Sequence, residues 1–312
     1  MVELEDGIRR VTLALPLGID HVHCYLLPSS EGDWTLVDTG LGLPDAGARW
    51  SRILGKLPGP VRRVVITHFH PDHVGAARDV AELTGATVYQ GADDYAQCVR
   101  TWGEPRVPGP MPQYLRVHGT PEADVKGFEA EAGAFARLVR FAPDPELLAA
   151  GDEVDGWSVL HLPGHADGHL ALLRDGVLVA GDTLLGSITP NVGLYPDSRP
   201  DPLGDYLESL KRIIELDPRI ALPGHHEPIE DPAGRADELI LHHRERLEQT
   251  SDALGRGPAT AYDVSLDLFP DPLPSVLRRF ALAETRAHLE YLVLRDSARR
   301  IDRGELVEYA PA

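Results

Sequence analysis

The sequence reads Thr67-His68-Phe69-His70-Pro71-Asp72-His73 directly after the apolar run Val64-Val65-Ile66. A short apolar run rich in β-branched residues predicts a buried strand, and a proline next to it suits the start of a helix, which we predict over 71–83. In an extended segment His68 and His70 point to the same side. The stretch therefore places three imidazoles and a carboxylate at one strand end. Because three or four such ligands hold one metal ion, we expect a metal site here.

Four further motifs accompany this stretch along the chain: Val37-Asp38-Thr39-Gly40, Pro163-Gly164-His165-Ala166-Asp167-Gly168-His169, Ala180-Gly181-Asp182-Thr183 and Pro223-Gly224-His225. With these motifs in this order, residues 1–233 resemble the metallo-β-lactamase fold superfamily. The motif at 163–169 has the form common in glyoxalase II-like hydrolases. The resemblance implies an α/β fold, an αββα sandwich of two mixed β-sheets flanked by helices.

The resemblance also implies two metal ions with one shared carboxylate. The implied ligands are His68, His70 and His165 for the first ion, Asp72, His73 and His225 for the second, and Asp182 between the two. Asp38 and His169 would lie behind the ligands and orient them through hydrogen bonds. Two histidines on an earlier strand, His21 and His23, are each expected at the surface or at a rim, and His21 could line the mouth of the pocket.

Such a pair of ions lowers the pKa of a shared water towards about 7 and yields a hydroxide that attacks a carbonyl or phosphoryl centre. Either Asp72 or a metal-bound water would protonate the leaving group. Imidazole and carboxylate ligands favour two Zn²⁺ per chain, with iron or manganese also possible. Tyr195 is predicted to contact substrate, and His118 either contacts substrate or is exposed in a loop, which the sequence favours.

The chain divides into a catalytic domain at 1–233 and a C-terminal domain at 234–312. Within the first, we predict a helical insertion at about 91–150 that borders the site and contains a proline-rich loop at 103–112. The sequence of the C-terminal domain predicts helices followed by a hairpin through Arg303-Gly304. It resembles the winged-helix module of the lactamase-like endoribonuclease group.

Composition narrows the functional class. The 312 residues are 43% hydrophobic and carry a formal charge of −19, which repels the phosphates of nucleic acids. No apolar run is long enough to span a membrane, and the first residues lack the basic and apolar segments of a secretory signal. Cys24 and Cys98 are the only cysteines, as is typical of a cytoplasmic protein. We expect a small-molecule substrate, and a homodimer is possible.

Two functions remain open from the sequence. The acidic charge and the motif at 163–169 favour hydrolysis of a small ester, thioester or lactone. The C-terminal module favours a metal-dependent endoribonuclease acting on single-stranded RNA. Seven arginines after residue 277 could form a basic face, but acidic residues interrupt them, which favours a salt-bridged surface. The segment from Asp182 to His225 is too short for the extra domain of the larger nuclease branch.

Overall fold

The computed structural model describes residues 1–16, 18–103 and 109–312, with the backbone alone at 131–135 and 276. It confirms the predicted α/β architecture of two mixed sheets flanked by helices, followed by a small C-terminal part with a sheet of its own. Of the predicted proline-rich loop at 103–112, residues 104–108 lie outside the described residues. No helix in the described part of the chain is both long and apolar enough to cross a membrane.

The first sheet follows the chain order. Its strands are β1 (Val2–Glu3), β2 (Arg9–Ala14), β3 (His21–Pro28), β4 (Trp34–Val37), β5 (Val61–Ile66), β6 (Thr87–Gly91) and β7 (Glu146–Leu148). Strands β1 to β4 pair antiparallel, and β4 to β7 pair parallel.

The second sheet has the order β12-β11-β10-β9-β8. Its strands are β8 (Glu153–Val154), β9 (Trp157–His161), β10 (Leu170–Arg174), β11 (Val177–Gly181) and β12 (Ile220–Pro223). The pair β11 and β12 is parallel, while the others are antiparallel. A third sheet, ordered β13-β15-β14, consists of β13 (Ala259–Thr260), β14 (Ala298–Asp302) and β15 (Val307–Pro311).

The helices cover the outer faces of these sheets and build the C-terminal part. They are α1 (Ala46–Leu54), α2 (Pro71–Val74), α3 (Ala77–Thr84), α4 (Ala92–Trp102), α5 (Met111–Val117), α6 (Glu122–Ala136), α7 (Pro202–Leu216), α8 (Pro232–Leu254), α9 (Ala261–Leu268) and α10 (Ser275–Val293), with a 3₁₀ turn at Glu5–Gly7.

The run 64–66 is a fully buried strand, as predicted, because both of its faces are covered. Val64 and Ile66 pack in the cluster between the first sheet and its helices. Val65 points the other way, into the cluster between the two sheets, with residues such as Trp157 and Leu172. This alternation follows from the period of two along a strand. It leaves the end of β5 rigidly held where the metal motif begins.

The predicted helix over 71–83 is wrong in one respect, since the structure has two short helices, α2 and α3. The chain breaks at Gly75-Ala76, where the Gly75 carbonyl accepts from Arg140 N and Ala76 N donates to Gly40 O. A Cβ on Gly75 would lie 2.7 Å from Gly42 N and 2.8 Å from Leu138 O. The backbones meet so closely there that tertiary contacts replace helical hydrogen bonds.

The predicted insertion at 91–150 is also only partly separate from the sheet. Its last segment forms β7, an edge strand of the first sheet. Its middle packs on the C-terminal part instead, since Tyr114, Leu115 and Val125 share one apolar cluster with Leu282 and Leu289 of α10. The insertion thus joins the two parts of the chain.

The C-terminal part is packed on the catalytic part through shared apolar clusters. Helix α8 lies against α7, and its Ala236 and Leu239 share a cluster with Leu203 of α7 and Ala287 of α10. The predicted hairpin is present as β14 and β15, and β13 adds a third strand. The division at residue 233 and the winged-helix assignment stay predictions.

Candidate metal centre

Strand ends deliver the predicted ligands to one place. His68 follows β5, and Asp182 and His225 follow the neighbouring parallel strands β11 and β12. The carboxyl ends of parallel strands lie at the same edge of a sheet, so Asp182 and His225 are brought together. His165 comes from the turn between β9 and β10. The structure therefore gathers residues from four separate segments.

The first group consists of His68, His70 and His165, whose ligand atoms lie within 4.8 Å of one another. His70 Nδ1 lies 3.0 Å from His68 Nε2 and 2.9 Å from His165 Nε2. Neighbouring ligand atoms of a tetrahedral ion with bonds of about 2.1 Å lie about 3.4 Å apart. Three imidazole nitrogens that face one another at such distances fit one divalent cation.

The second group consists of Asp72, His73 and His225. Asp72 Oδ2 lies 3.4 Å from His225 Nε2 and 3.9 Å from His73 Nε2. Asp182 Oδ2 lies 3.3 Å from His225 Nε2, 3.5 Å from His73 Nε2 and 3.7 Å from His165 Nε2. Asp182 therefore contacts ligands of both groups, as expected for a carboxylate shared by two ions.

Each of four ligand imidazoles uses its other nitrogen for a hydrogen bond to an oxygen. The partners are Thr67 Oγ1 for His68 at 3.0 Å, Asp38 Oδ2 for His73 at 2.8 Å, Asn191 O for His165 at 2.9 Å and His21 O for His225 at 2.6 Å. When the outer nitrogen donates, the inner nitrogen keeps its lone pair for the metal. The surroundings thus set the tautomer that a metal requires.

Asp38 organises the inner side of the centre. Besides His73, its carboxylate accepts from Thr67 N and from Thr67 Oγ1, each at 2.8 Å. Its own backbone has a φ of 61°, which aspartate and asparagine tolerate better than most residues. One buried carboxylate therefore holds both the end of β5 and the ring of His73.

Asp38→Asn is expected to weaken binding of the second metal ion by about 10- to 100-fold, as is usual when the partner of a ligating histidine is lost. The amide offers one acceptor where the carboxylate offers two, so His73 loses its fixed tautomer. Competition with a chelator measures the affinity. Asp45→Asn, at a surface ion pair with Arg49, serves as the matched control. Unchanged affinity in Asp38→Asn would contradict this role.

The pKa shifts of the histidines differ between the two groups of candidate ligands. Burial lowers the pKa of His70 to about 3, and burial also lowers the pKa of His68 and of His165. Burial acts to lower the pKa of His225 as well, but the carboxylates of Asp182 and Asp72 outweigh it and raise that pKa to about 10. The first group is thus neutral and ready to coordinate, while the second binds protons that a cation displaces.

Two buried atoms at the centre have no hydrogen-bond partner within the described ranges, His73 Nε2 and Asp182 Oδ1. Such orphaned atoms are uncommon in folded proteins unless an ion or water meets them. Gly224 keeps the space beside them open, because a Cβ there would lie 2.3 Å from Asp182 Oδ1 and 2.7 Å from His73 Cε1. The residues present fit two divalent cations.

His169 is buried behind the site and supports Asp182 directly. Asp182 N donates to His169 Nε2 at 3.1 Å, and His169 Nδ1 lies 3.0 Å from Thr183 Oγ1. Burial lowers the pKa of His169 well below its ordinary value, so the ring is neutral and can accept this bond.

Sequence reasoning missed two supporting residues, Asp94 and Asn191. Asp94, at the start of α4, is 1% exposed and accepts from Phe69 N at 2.8 Å, between two ligands. Burial raises the pKa of Asp94 to about 8, although hydrogen bonds from Gln90 and Phe69 oppose the rise. In the sequence Asp94 looks like an ordinary acidic residue of a helix start. Asn191 lies in an irregular loop and contacts His165 through its carbonyl, which no sequence pattern marks.

Other predicted residues lie around the centre. Tyr195 donates from its hydroxyl to Asn191 Oδ1 at 3.2 Å, close to the support of His165. His118 is not exposed as the sequence favoured, because it is 3% exposed and its ring lies 4.9 Å from that of Tyr114. The rim position expected for His23 is also wrong, since it is buried on β3 and contacts Thr12. Substrate contact by Tyr195 or His118 stays a prediction.

The candidate ligands differ in how much solvent reaches them. His68 and His73 are fully buried, whereas 18% of the Asp72 side chain and 8% of the His165 side chain are exposed. The small exposed fraction thus belongs to residues of both groups.

A family model described as the metallo-β-lactamase superfamily matches residues 17–225, which contain every ligand described above. The chain belongs to the metallo-β-lactamase superfamily. A second model, described as the C-terminal domain of metallo-β-lactamase-like proteins, matches residues 247–312. As a member of this superfamily with both ligand groups present, the chain is a metal-dependent hydrolase.

Three curated relatives have names that describe hydrolases. The probable metallo-hydrolase YqjP of Bacillus subtilis is 29% identical over 92% of each chain. The atrochrysone carboxyl ACP thioesterase of Aspergillus fumigatus is 26% identical over 70% of this chain and 55% of its own. The hydroxyacylglutathione hydrolase of Methylobacillus flagellatus is 24% identical over 68% of each.

Two solved structures match this superfamily member over nearly its full length, and a third matches part of it. A metallo-β-lactamase family protein of Thermus thermophilus is 37% identical with a TM-score of 0.85, covering 98% of this chain and 99% of its own. A β-lactamase domain protein of Burkholderia ambifaria is 29% identical with a TM-score of 0.90, over 100% and 94%. TTHA1623, solved in a di-iron-bound form, is 26% identical with a TM-score of 0.51, over 71% and 94%.

Proposed function

We propose that this chain is a dinuclear hydrolase of a small carboxylic ester, thioester or lactone. The observation that carries the proposal is the position of Asp182, whose carboxylate lies within 3.7 Å of ligands from both groups. A carboxylate shared in this way supports two adjacent ions rather than one. Two adjacent divalent ions activate water as a nucleophile and polarise the bond under attack.

The chain's own residues position and move the proton. The Asp72 side chain is 18% exposed, and although burial raises its pKa, its neighbours His73 and His225 outweigh burial and lower that pKa. An ionised carboxylate at this place accepts the proton of the attacking water and delivers it to the leaving oxygen or sulfur. The fully buried rings of His68 and His73 keep bulk water away from the inner part of the centre.

Charge favours a carbonyl substrate over RNA. The formal charge of the chain is −19, which repels a polyanion. Three of the C-terminal arginines are paired with carboxylates, Arg295 with Asp201, Arg300 with Glu290 and Arg303 with Glu308. Two relatives are named as a thioesterase and as a hydroxyacylglutathione hydrolase, which supports a thioester among the three carbonyl classes.

The metal we propose is zinc, because the ligands are imidazole and carboxylate without thiolate. Iron is the alternative, since TTHA1623 has been solved in a di-iron-bound form.

Metal analysis followed by turnover of a substrate panel tests the function. The panel contains S-lactoylglutathione, a simple acyl thioester, a homoserine lactone, nitrocefin and single-stranded RNA. We expect two ions per chain and hydrolysis of a thioester or lactone. His70→Ala should lose that hydrolysis, whereas His242→Ala, on α8 outside both ligand groups, should retain it.

The outcomes separate the candidates. RNA cleavage lost in His70→Ala, without thioester or lactone cleavage, would replace our proposal by the endoribonuclease function. One tightly bound ion per chain in the active protein would contradict the dinuclear centre.

A further inference from the structure

Helix α10 of the C-terminal part reaches the loop that supports the metal ligand His165. The carbonyl of Asn191 accepts from His165 Nδ1, and the amide of the same Asn191 donates to Glu284 Oε2 at 3.0 Å. Further along this loop, Leu194 N donates to Ala283 O at 3.0 Å. The loop at 191–195 is therefore fastened to α10, which lies next to the support of the metal centre.

One arginine of α10 contacts this loop, and a second contacts a tyrosine that is hydrogen-bonded to it. The guanidinium of Arg279 is 5.9 Å from the ring centroid of Tyr195. The guanidinium of Arg286 is 5.0 Å from the ring centroid of Tyr114, whose hydroxyl donates to Leu194 O at 2.7 Å. Residues seven apart face the same side of a helix, since two turns contain about seven residues. Burial raises the pKa of Tyr114 to about 12, and the positive charges of Arg286 and Arg279 oppose that rise. Both charges therefore act on Tyr114.

Within the part of the chain that the structure describes, neither Arg279 nor Arg286 has a carboxylate within 4.0 Å of its nitrogens or donates a hydrogen bond to a carbonyl. The Nε atoms of both are buried without an acceptor. Burial lowers the pKa of Arg286, but its polar neighbours Tyr114, Tyr309 and Glu290 outweigh burial and raise that pKa. Their neighbour Arg278 is different, because it donates to the carbonyls of Ser265, Phe269 and Asp271.

The other contacts of the two guanidinium groups are with aromatic rings and with a carboxylate that has further partners. The guanidinium of Arg279 lies 4.4 Å from the ring centroid of Phe280 and 5.2 Å from that of Phe128. Glu290 lies one helical turn after Arg286. Its carboxylate already accepts a hydrogen bond from the Tyr309 hydroxyl and lies 3.5 Å from Arg300 Nη1. Neither guanidinium therefore has a carboxylate within 4.0 Å among the described residues, and both belong to the helix that holds the loop behind His165.

We propose that Arg279 and Arg286 form an anion subsite, which binds a carboxylate or phosphate group of the substrate while the scissile carbonyl lies at the metal centre. The inference rests on the proposed function and names the class of its substrate. In a chain with a formal charge of −19 an anionic substrate is otherwise repelled. A guanidinium suits both oxyanions, since its planar donors match the geometry of a carboxylate and of a phosphate.

Three thioesters with matched reacting groups test the subsite. S-acetyl-N-acetylcysteamine is neutral, S-succinyl-N-acetylcysteamine adds a carboxylate to the acyl part, and acetyl-coenzyme A adds phosphates to the leaving group. We expect wild type to prefer one of the charged substrates. In Arg279→Gln and Arg286→Gln the ratio of kcat/KM for that substrate to kcat/KM for the neutral one should fall by about 10- to 100-fold, mainly through KM, as charge-assisted hydrogen bonds are lost.

Controls separate binding from folding. Arg299→Gln makes the same change at an exposed arginine of β14 and should keep the wild-type ratio. Arg279→Lys retains the charge and should recover part of the preference. An equal loss on neutral and charged substrates would show that the arginines serve only the fold, and a wild type without preference would also overturn the subsite.

A second measurement keeps this inference distinct from the proposed function. Succinate and free coenzyme A are titrated calorimetrically into the metal-loaded protein. Binding of either anion that is lost in both glutamine variants, in a protein that hydrolyses neither these thioesters nor the ester and lactone substrates, would sink the proposed reaction and leave the subsite standing. Thioester hydrolysis with anion binding that both variants retain would sink the subsite alone.

Discussion

Asp182→Asn is expected to remove tight binding of both metal ions and to lower kcat/KM by at least about 1000-fold. Its Oδ2 faces His73, His165 and His225 at 3.3–3.7 Å, so one carboxylate serves both groups. An amide carries no charge and coordinates a divalent cation less strongly, and loss of a metal costs the several kcal/mol that it contributes to the transition state. Elemental analysis after dialysis and turnover of the preferred substrate measure the two effects.

The matched control is Asp197→Asn, in the loop that follows Asp182, where the side chain is exposed. It should keep full metal content and activity. If Asp182→Asn retained two ions per chain and lost only activity, the carboxylate would act in the reaction without bridging the ions. Retention of both properties would remove Asp182 from the site.

Deletion of residues 234–312 is expected to leave an aggregated, metal-free chain, although every predicted ligand lies before the deletion. The reason is that the two parts share apolar clusters. Leu203 and Leu210 of α7 pack against Ala236 and Leu239 of α8, and Tyr114 and Leu115 pack against α10. Exposure of such surface favours aggregation. Solubility, far-UV circular dichroism and metal content measure the outcome.

A point substitution tests the same contact in the intact chain. Leu239→Ala, at a side chain with 0% exposure, should lower the free energy of unfolding by about 2–5 kcal/mol. Leu241→Ala, on the same helix at 51% exposure, should change it by less than about 0.5 kcal/mol. A soluble, metal-loaded 1–233 fragment together with equal effects of the two substitutions would support an independent catalytic domain.

Helix α10 links the C-terminal part to the candidate metal centre, because it packs on the catalytic part and also holds the loop that contacts His165. The hydrogen bonds from Asn191 to Glu284 and from Leu194 to Ala283 connect the ligand's support to that helix. Loss of the C-terminal part therefore acts on metal binding through the position of His165. The ligand residues themselves do not need to change.

The sequence by itself predicted which residues gather at the candidate metal centre and the strand that precedes the first of them. A strand followed by His68 and His70, two residues apart, brings both rings to one side through local geometry alone. Asp72 and His73 follow within the next turn. The order of the other motifs, through the resemblance that they carry, was sufficient to assign His165, Asp182 and His225 to the same centre, where the structure places them.

Only the tertiary structure decided what surrounds these ligands. His225 donates to the carbonyl of His21, 204 residues away in the chain, and Asp94 holds the amide of Phe69 across 25 residues. The burial of His23 and His118 and the lack of acidic partners at Arg279 and Arg286, among the described residues, likewise depend on which distant segments meet. Local spacing specifies a side chain's direction on its own strand or helix, whereas burial and partners come from packing between elements, which no short pattern records.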